Sequence, residues 1–317
     1  YVSSDINDRF DRPGVNNLFI GKDFLMQYFF SSIITENLIL TLTDLNNHSI
    51  KKTKNVKNYI YYFHAPASTT KVYTKTAFDN YDTILCNGEY QINEILKREA
   101  INEIKKKKLI KSGYFYFDYL KEKINNRTKA EEILIAPSWN YNQKNFLNEN
   151  VESIIKKTLE KGFKVRFRPH PENLKRSKLY LKELKNKFSD QLFFYDDGAE
   201  NLESMEKAKC LITDSSGIAI EYILMFKRPV LYIDGVDKIH NNEFSKYNDL
   251  ITMDEKIRDK FGYLLKKDEL DNIDTLINKA LSDFENKDTE IENFINQNFY
   301  NYGETIKKFE ENITNIL

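Results

Sequence analysis

Short apolar runs alternate along this chain with longer stretches whose apolar residues recur every three to four positions. That alternation is the pattern of strands and amphipathic helices in βαβ units built on a mainly parallel sheet. In the first half, Asn17 to Ile20, Asn37 to Leu42, Asn58 to Phe63, Asp82 to Cys86 and Leu109 to Ser112 read as strands. Helices are predicted over Asp23 to Ile34, Thr70 to Phe78 and Glu89 to Lys107. The last of these ends in the run Lys105 to Lys108, expected to be solvated and to complement a helix C-terminus.

A polar, charged segment from Lys121 to Glu132 interrupts this rhythm, and Ile133-Leu134-Ile135-Ala136-Pro137 restarts it. The pattern then predicts helix Val151 to Glu160 stopped by Gly162, strand Lys164 to Arg168, helix Leu174 to Phe188 and strand Gln191 to Tyr195. Helix Asn201 to Ala208, strand Cys210 to Thr213, helix Ile218 to Phe226 and strand Val230 to Asp234 follow. From Ile291 onward Phe294, Ile295, Phe299, Tyr302, Ile306, Phe309 and Ile313 keep a helical spacing, with Gly303 as an expected kink. A chain of 317 residues exceeds the size at which one core usually stops growing. The expected fold class is therefore α/β, with two Rossmann-like domains, 1–128 and 129–317, facing across a cleft and the C-terminal helix packing back on the first.

Lys+Arg and Asp+Glu both number 48, so no net field draws the molecule to nucleic acid, and any phosphate binding must be local. Cys86 and Cys210 close or open apolar runs, where cysteine behaves as a small buried hydrophobe, and neither a disulfide framework nor a zinc site is supported. The apolar stretch Phe24 to Thr35 is well short of the roughly 20 residues that span a bilayer. The chain opens on Tyr1 without a signal-peptide pattern, so residues are expected to have been removed upstream.

In open α/β sheets ligands bind beyond the carboxyl ends of the strands, which directs attention to four polar clusters placed there. In Thr213-Asp214-Ser215-Ser216-Gly217 a strand feeds through hydroxyl residues into a helix whose free N–H groups and positive end would cradle a phosphate. The same residues also make an ordinary helix cap. In Arg166-Phe167-Arg168-Pro169-His170-Pro171, period two puts Lys164, Arg166 and Arg168 on one side of a strand, and the prolines hold His170 extended just past its end. His64 follows a strand in the same way, before the Ser/Thr-rich stretch Ser68 to Lys71; it reads equally as a base or as a capping histidine. Ile135-Ala136-Pro137-Ser138-Trp139-Asn140 places Ser138 and Asn140 where they would meet donor phosphate or sugar, or form a plain turn. His48 and His240 read as surface residues. No DxD, HExxH, GxSxG or GxxxxGK[ST] appears, which argues against a metal or cofactor.

Taken in order, these pieces resemble the CDP-glycerol glycerophosphotransferase family, of the wall teichoic acid primase and polymerase type with a GT-B fold. The resemblance runs from about Tyr61 to Asp234. Phe63-His64-Ala65 is similar to its Trp-His-Gly, Tyr81 to Cys86 to its Tyr-Asp strand, and Ala136-Pro137-Ser138-Trp139 to its Ala-Pro-Thr-Trp. Arg168-Pro169-His170-Pro171 resembles its Arg-x-His-Pro, and Ile212 to Ser216 with Lys227-Arg228-Pro229 resembles its Thr-Asp-Tyr-Ser-Ser and Lys-Arg-Pro. Ala65 departs from the family's glycine, the aromatic after Asp214 is missing, and Gly113-Tyr114-Phe115 lacks the usual proline and arginine.

The resemblance implies transfer of glycerol phosphate, or a similar polyol phosphate, from a CDP-linked donor to a hydroxyl of a cell-surface glycan or lipid-linked acceptor. His64 and His170 would be catalytic; Thr213, Asp214, Ser215, Ser216, Gly217 and Arg168 would bind donor phosphate. Pro137, Ser138, Trp139, Asn140 and Arg228 would contact the nucleotide or polyol. Two other readings use the same scaffold: a glycosyltransferase taking a CMP- or UDP-sugar, and a non-catalytic nucleotide-binding subunit of a polysaccharide assembly. The implied location is cytoplasmic, at the inner face of the membrane, where peripheral association is compatible with the chain though no basic amphipathic helix calls for it.

Overall fold

The computed structural model describes residues 2–3, 9, 13–21, 24–47, 50–124, 129–139, 147, 150–188, 192–198, 200–235 and 238–316, the last five without side chains. His48, Asn140 and the expected element ends Asp23 and Gln191 lie outside the described residues.

Two parallel sheets carry the chain. β1 (Val2–Ser3) and β2 (Leu18–Phe19) form only a short ribbon apart from them, and helix α1 (Phe24–Ser32) buries none of its residues. The first sheet has the order β3 (Thr35–Leu40), β4 (Val56–Tyr62), β5 (Thr83–Cys86), β6 (Lys108–Lys111). One face packs Tyr59, Tyr61, Ile84 and Cys86 against Phe78, Tyr81 and Ile95 of helix α2 (Glu89–Asn102) and the preceding turns. The other face, with Ile60 and Leu85, meets Phe309 of the last helix, as the period-two alternation requires.

The second sheet has six strands: β7 (Glu132–Ile135), β8 (Lys164–Phe167), β9 (Phe193–Tyr195), β10 (Ala208–Thr213), β11 (Val230–Ile233) and β12 (Gly262–Leu265). Their order is β12-β11-β10-β7-β8-β9, so the winding reverses between β7 and β10. Ile133, Ile135, Cys210, Ile212 and Leu231 face one apolar layer; Leu134, Leu211, Val230 and Tyr232 face the other. Both thiols are free and buried, and burial pushes both far above their ordinary range. Among the described residues no helix is long and apolar enough to cross a membrane.

Several sequence expectations change. The predicted helix Thr70 to Phe78 is a chain of turns. Its hydroxyl and β-branched residues favour a helix weakly, and the buried Arg98 of α2 takes the carbonyls of Thr69, Thr74 and Lys75 at 2.6–2.8 Å, which a helix would have used internally. Helix α2 stops at Asn102 with Glu103 left-handed (φ 50°), and the lysine run after it is not uniformly solvated. Lys107 is buried beside Glu99, and Lys105 reaches Asp82. The segment before Lys121 forms an unforeseen helix, α3 (Phe115–Lys123). After α4 (Val151–Glu160), the helix predicted over Leu174 to Phe188 is broken at Ser177 into α5 (Pro171–Arg176) and α6 (Lys178–Lys187).

Helices α7 (Leu202–Lys207) and α8 (Gly217–Phe226) flank β10. Three further elements had no sequence prediction: α9 (Met253–Phe261), β12 and α10 (Ile273–Phe284). The tail forms α11 (Asp288–Asn298) and α12 (Thr305–Ile316), separated by turns around Gly303 rather than kinked there. It returns to the first sheet: the Tyr300 N–H donates to the Asn87 carbonyl at 2.8 Å, and the Ile306 N–H to Asp118 at 3.0 Å. Gly113, left-handed at φ +98°, permits this approach, since a Cβ there would lie 2.4 Å from the Tyr300 carbonyl oxygen.

Candidate active site

The reversal between β7 and β10 opens a crevice at the carboxyl ends of the second sheet, where doubly wound sheets take ligands. Three loops meet there, and buried polar side chains lash them together. Asp214, after β10, accepts from the Ser138 N–H at 2.9 Å and from its hydroxyl at 2.7 Å. Thr213 donates to the Ala136 carbonyl at 2.6 Å, and Asn173 of α5 donates to the Ser138 carbonyl at 3.3 Å. Thr213, Asp214 and Ser138 are all buried, with Pro137 packed beside them, so these four shape the crevice from within. Burial raises the Asp214 carboxyl, which its bonds to Ser138 partly offset.

The turn continues into α8, which is buried from Ala219 to Phe226. Ser216 is its N-cap residue in extended conformation (φ −125°, ψ 142°), yet its hydroxyl makes no capping bond. The Ala219 N–H is taken by the Ser216 carbonyl at 3.0 Å, so the opening of the turn at Gly217 and Ile218, with this hydroxyl, forms the positive end of a helix embedded in low dielectric, an arrangement suited to an anion.

His170 follows β8 and caps α5: its Nδ1 accepts from the Glu172 N–H at 3.1 Å. The neutral tautomer with Nδ1 as acceptor must carry its hydrogen on Nε2. Burial, with Lys238 nearby, lowers the His170 pKa to about 4. At neutral pH it is thus an uncharged donor through Nε2.

His64 follows β4 and is exposed. Its surroundings still disfavour the cation: burial first, then Lys238, lower its pKa, opposed by the Thr41 carbonyl. The loop carrying it is set from α2, where Tyr90 donates to the Pro66 carbonyl at 2.8 Å and Glu94 accepts from the Thr69 hydroxyl at 2.7 Å. It is also docked on the second half of the chain. The Ser68 N–H donates to Asp254 at 2.9 Å, Asn241 donates to the Thr70 carbonyl at 2.9 Å, and Lys71 pairs with Glu255 at 3.6 Å. The capping box Thr252/Glu255 that starts α9 aims Asp254 at Ser68. A Cβ on Gly217 would lie 3.4 Å from the Ala65 Cβ, so the His64 loop sits directly on the start of α8.

That last contact makes a prediction. Gly217→Ala fits at ordinary contact distance, whereas Gly217→Val forces the His64 loop off α8 and is expected to lower kcat/KM by roughly 10-fold or more, as small misplacements do. Steady-state kinetics of Gly217→Val with and without Ala65→Gly check it: the second substitution should restore part of the loss, and no restoration would mean the contact is not the cause.

Other expected residues sit elsewhere. Arg168 is nine-tenths buried in an ion pair with Asp196 at 2.7 Å and a bond to the Gly198 carbonyl at 2.9 Å, bracing the loop after β9. Arg166 pairs with Glu132 at 2.6 Å and Lys164 with Glu131 at 2.6 Å. Arg228 is not brought to the crevice: it precedes β11, hence lies at the amino ends of the parallel strands, where it donates to the carbonyls of Met205, Glu206 and Ala208 at 2.6–3.1 Å. Trp139 lies at the rim between the Arg176 guanidinium, 5.2 Å from its ring, and the His240 ring at 5.9 Å. His240 is therefore part of the cleft wall and not the surface residue expected.

The sequence reading missed Lys238, Lys71, Arg258 and Asp254. Lys71, Asp254 and Arg258 line a space of about 10 Å³ together with Ser215 and Ser216, room for about one water. A larger cavity of about 490 Å³ shares Ser215 and Arg258 and extends along Tyr232, Asp234, Gly235 and Tyr263. It lies toward β11 and β12, beside the crevice rather than in it. Lys238 follows β11; Asp214 and Asp254 stabilise its charge against burial. Among the described residues no group of His, Cys, Asp and Glu is arranged to hold a metal ion.

Comparison with known proteins gives a family and a fold. The family described as CDP-glycerol:poly(glycerophosphate) glycerophosphotransferase matches residues 43–254. No curated protein sequence matches the chain. Among solved structures, the wall teichoic acid polymerase TagF is 15% identical with a TM-score of 0.51, covering 84% of this chain and 69% of that one. The UDP-GlcNAc 2-epimerase of Methanocaldococcus jannaschii, in complex with UDP-GlcNAc and UDP, is 15% identical with a TM-score of 0.56, covering 96% and 85%. A putative UDP-N-acetylglucosamine 2-epimerase from Listeria monocytogenes is 11% identical with a TM-score of 0.57, covering 93% and 78%. At these identities the likeness is one of fold, and the fold is of the GT-B type.

Proposed function

The chain belongs to the CDP-glycerol:poly(glycerophosphate) glycerophosphotransferase family and is a transferase of that kind, and we propose that it moves glycerol phosphate, or a similar polyol phosphate, from a CDP-linked donor to a hydroxyl of a teichoic-acid-like polymer. The observation that supports this reading best is the close approach of Ala65 to Gly217, which brings the loop carrying His64 against the start of α8.

In this reading the second sheet holds the donor and the first presents the acceptor. The donor diphosphate rests on the α8 N-terminus, the Ser216 hydroxyl and the Nε2–H of His170. The acceptor hydroxyl, losing its proton to His64, attacks the phosphorus that bears the polyol. A new phosphorus–oxygen bond forms as the bond to the CMP oxygen breaks, and CMP leaves with its pair of electrons. Charge spreading over the phosphoryl oxygens meets fixed donors already in place, the main contribution a protein makes to phosphoryl transfer. Burial keeps both histidines neutral, and the field of Lys238 adds to it in the same direction. The reading places the enzyme on the cytoplasmic side, meeting its lipid-linked acceptor at the inner face of the membrane.

Thermal shift with CDP-glycerol, CDP-ribitol, CMP, UDP, GDP and nucleotide sugars tests the donor. A ligand at 100 times its Kd stabilises by about 2.7 kcal/mol, which moves the midpoint by several degrees. Selective stabilisation by cytidine ligands is expected, with a phosphodiester as product. Preference for uridine or guanosine ligands would overturn the donor assignment.

A further inference from the structure

We propose that Tyr114 is a positioning residue for the transfer, holding the His64 backbone to the donor-side helix α8, and that Glu221 competes with His64 for its single hydroxyl hydrogen. This rests on the transferase reading for its kinetic consequence, though the coupling itself does not.

Tyr114 is the N-cap residue of α3 and is buried, as is Glu221. Its hydroxyl lies 2.8 Å from Glu221 Oε1 and 3.0 Å from the His64 carbonyl oxygen. Glu221 stands one turn beyond Gly217 on α8, on the face that meets Ala65. One side chain of the first half thus bridges the helix that would hold the donor and the backbone of the residue that would take the acceptor's proton.

A phenol has one hydrogen and here two acceptors. When Glu221 is ionised, the charge-assisted bond to the carboxylate wins and the His64 carbonyl loses its donor. When Glu221 is protonated, its own hydroxyl donates to Tyr114, and Tyr114 turns its hydrogen to His64. Burial raises the Glu221 carboxyl to about 7, so both states are populated near neutrality. The titratable groups facing the pair are Tyr116 of α3, Tyr62 of β4 and Tyr73 beyond it, with Lys238 facing His64. Burial pushes those phenols well above their ordinary range, leaving them silent at neutral pH.

The profile should therefore be a bell. Activity rises as His64 loses its proton, below its ordinary value of 6.5, and falls as Glu221 ionises at about 7. The test measures kcat and donor KM against pH with CDP-glycerol as donor. Tyr114→Phe, checked for folding by its melting transition, is expected to lose roughly 10- to 100-fold in kcat with donor KM little changed and no alkaline limb. Glu221→Gln, whose amide donates to Tyr114 as the protonated carboxyl does, should stay at the acid-side kcat where the wild type declines.

An unaltered alkaline limb in both variants would overturn the proposal. So would a raised donor KM in Glu221→Gln with the limb intact, which would put the carboxylate on the donor instead. If the wild type turns over no CDP-linked donor, the transferase reading falls, and the coupling is read separately from the ¹³C shift of the His64 imidazole, assigned with His64→Gln. An inflection near 7 that disappears in Tyr114→Phe supports it; its absence from the wild type sinks it.

Discussion

His64→Ala is expected to lower kcat by roughly 10²- to 10⁴-fold, the usual loss when a positioned general base is removed. Donor affinity should persist, since His64 follows β4 of the first sheet, which the proposed function gives to the acceptor, and the proposed diphosphate seat is α8 with His170. The imidazole projects from a loop whose backbone is bonded to α2, α9 and the segment after β11, so removing it leaves those bonds in place. Rapid-quench kinetics and donor-binding titrations on the same variant separate the two effects. A folded His64→Ala protein with kcat near wild type would refute the base assignment, and a large loss of donor affinity would move the residue to the donor side. The acid limb of the wild-type profile should vanish in any residual activity.

His170→Asn should cost roughly 10²- to 10³-fold in kcat, the range for losing one donor aimed at charge developing in a transition state. Asparagine is chosen because His170 has two jobs. Its Nδ1 caps α5 through the Glu172 N–H, and only its Nε2–H is available to the phosphate. An asparagine oxygen can keep the cap, whereas alanine removes cap and donor together and adds about 1 kcal/mol of destabilisation. Matching melting transitions for wild type and His170→Asn, with the kcat loss intact, would isolate the donor role. Substantial turnover in the folded variant would refute it. Because burial and Lys238 keep this imidazole neutral down to about 4, its contribution should not change across neutral pH, unlike that of Glu221.

The alternation of apolar runs and amphipathic stretches was enough to specify the parallel α/β character of the chain, because buried parallel strands are written as short continuous apolar runs and their helices as three-to-four repeats. The same local signals placed His64, His170 and the Ser215-Ser216 turn after strands, and therefore at the end of a sheet where ligands bind. The polar segment Lys121 to Glu132 runs from the end of α3 to the first residue of β7, the strand with which the second sheet begins in sequence.

Other features were settled by atoms distant in sequence. Whether Thr70 to Phe78 became a helix depended on a guanidinium from α2 taking its carbonyls. Arg168, Arg166 and Arg228 look alike as basic residues near a phosphate motif, yet their partners commit them to structure: Arg168 to Asp196 in the loop after β9, Arg166 to Glu132 on the neighbouring strand β7, and Arg228 to the carbonyls of Met205, Glu206 and Ala208. Residue type predicts that a charge must be satisfied, but not by which partner. Likewise Lys238, Tyr114 and Glu221 carry no motif. They matter because the chain's second half folds back over the first, and burial there gives a lysine, a phenol and a carboxyl an electrostatic environment that no local pattern encodes.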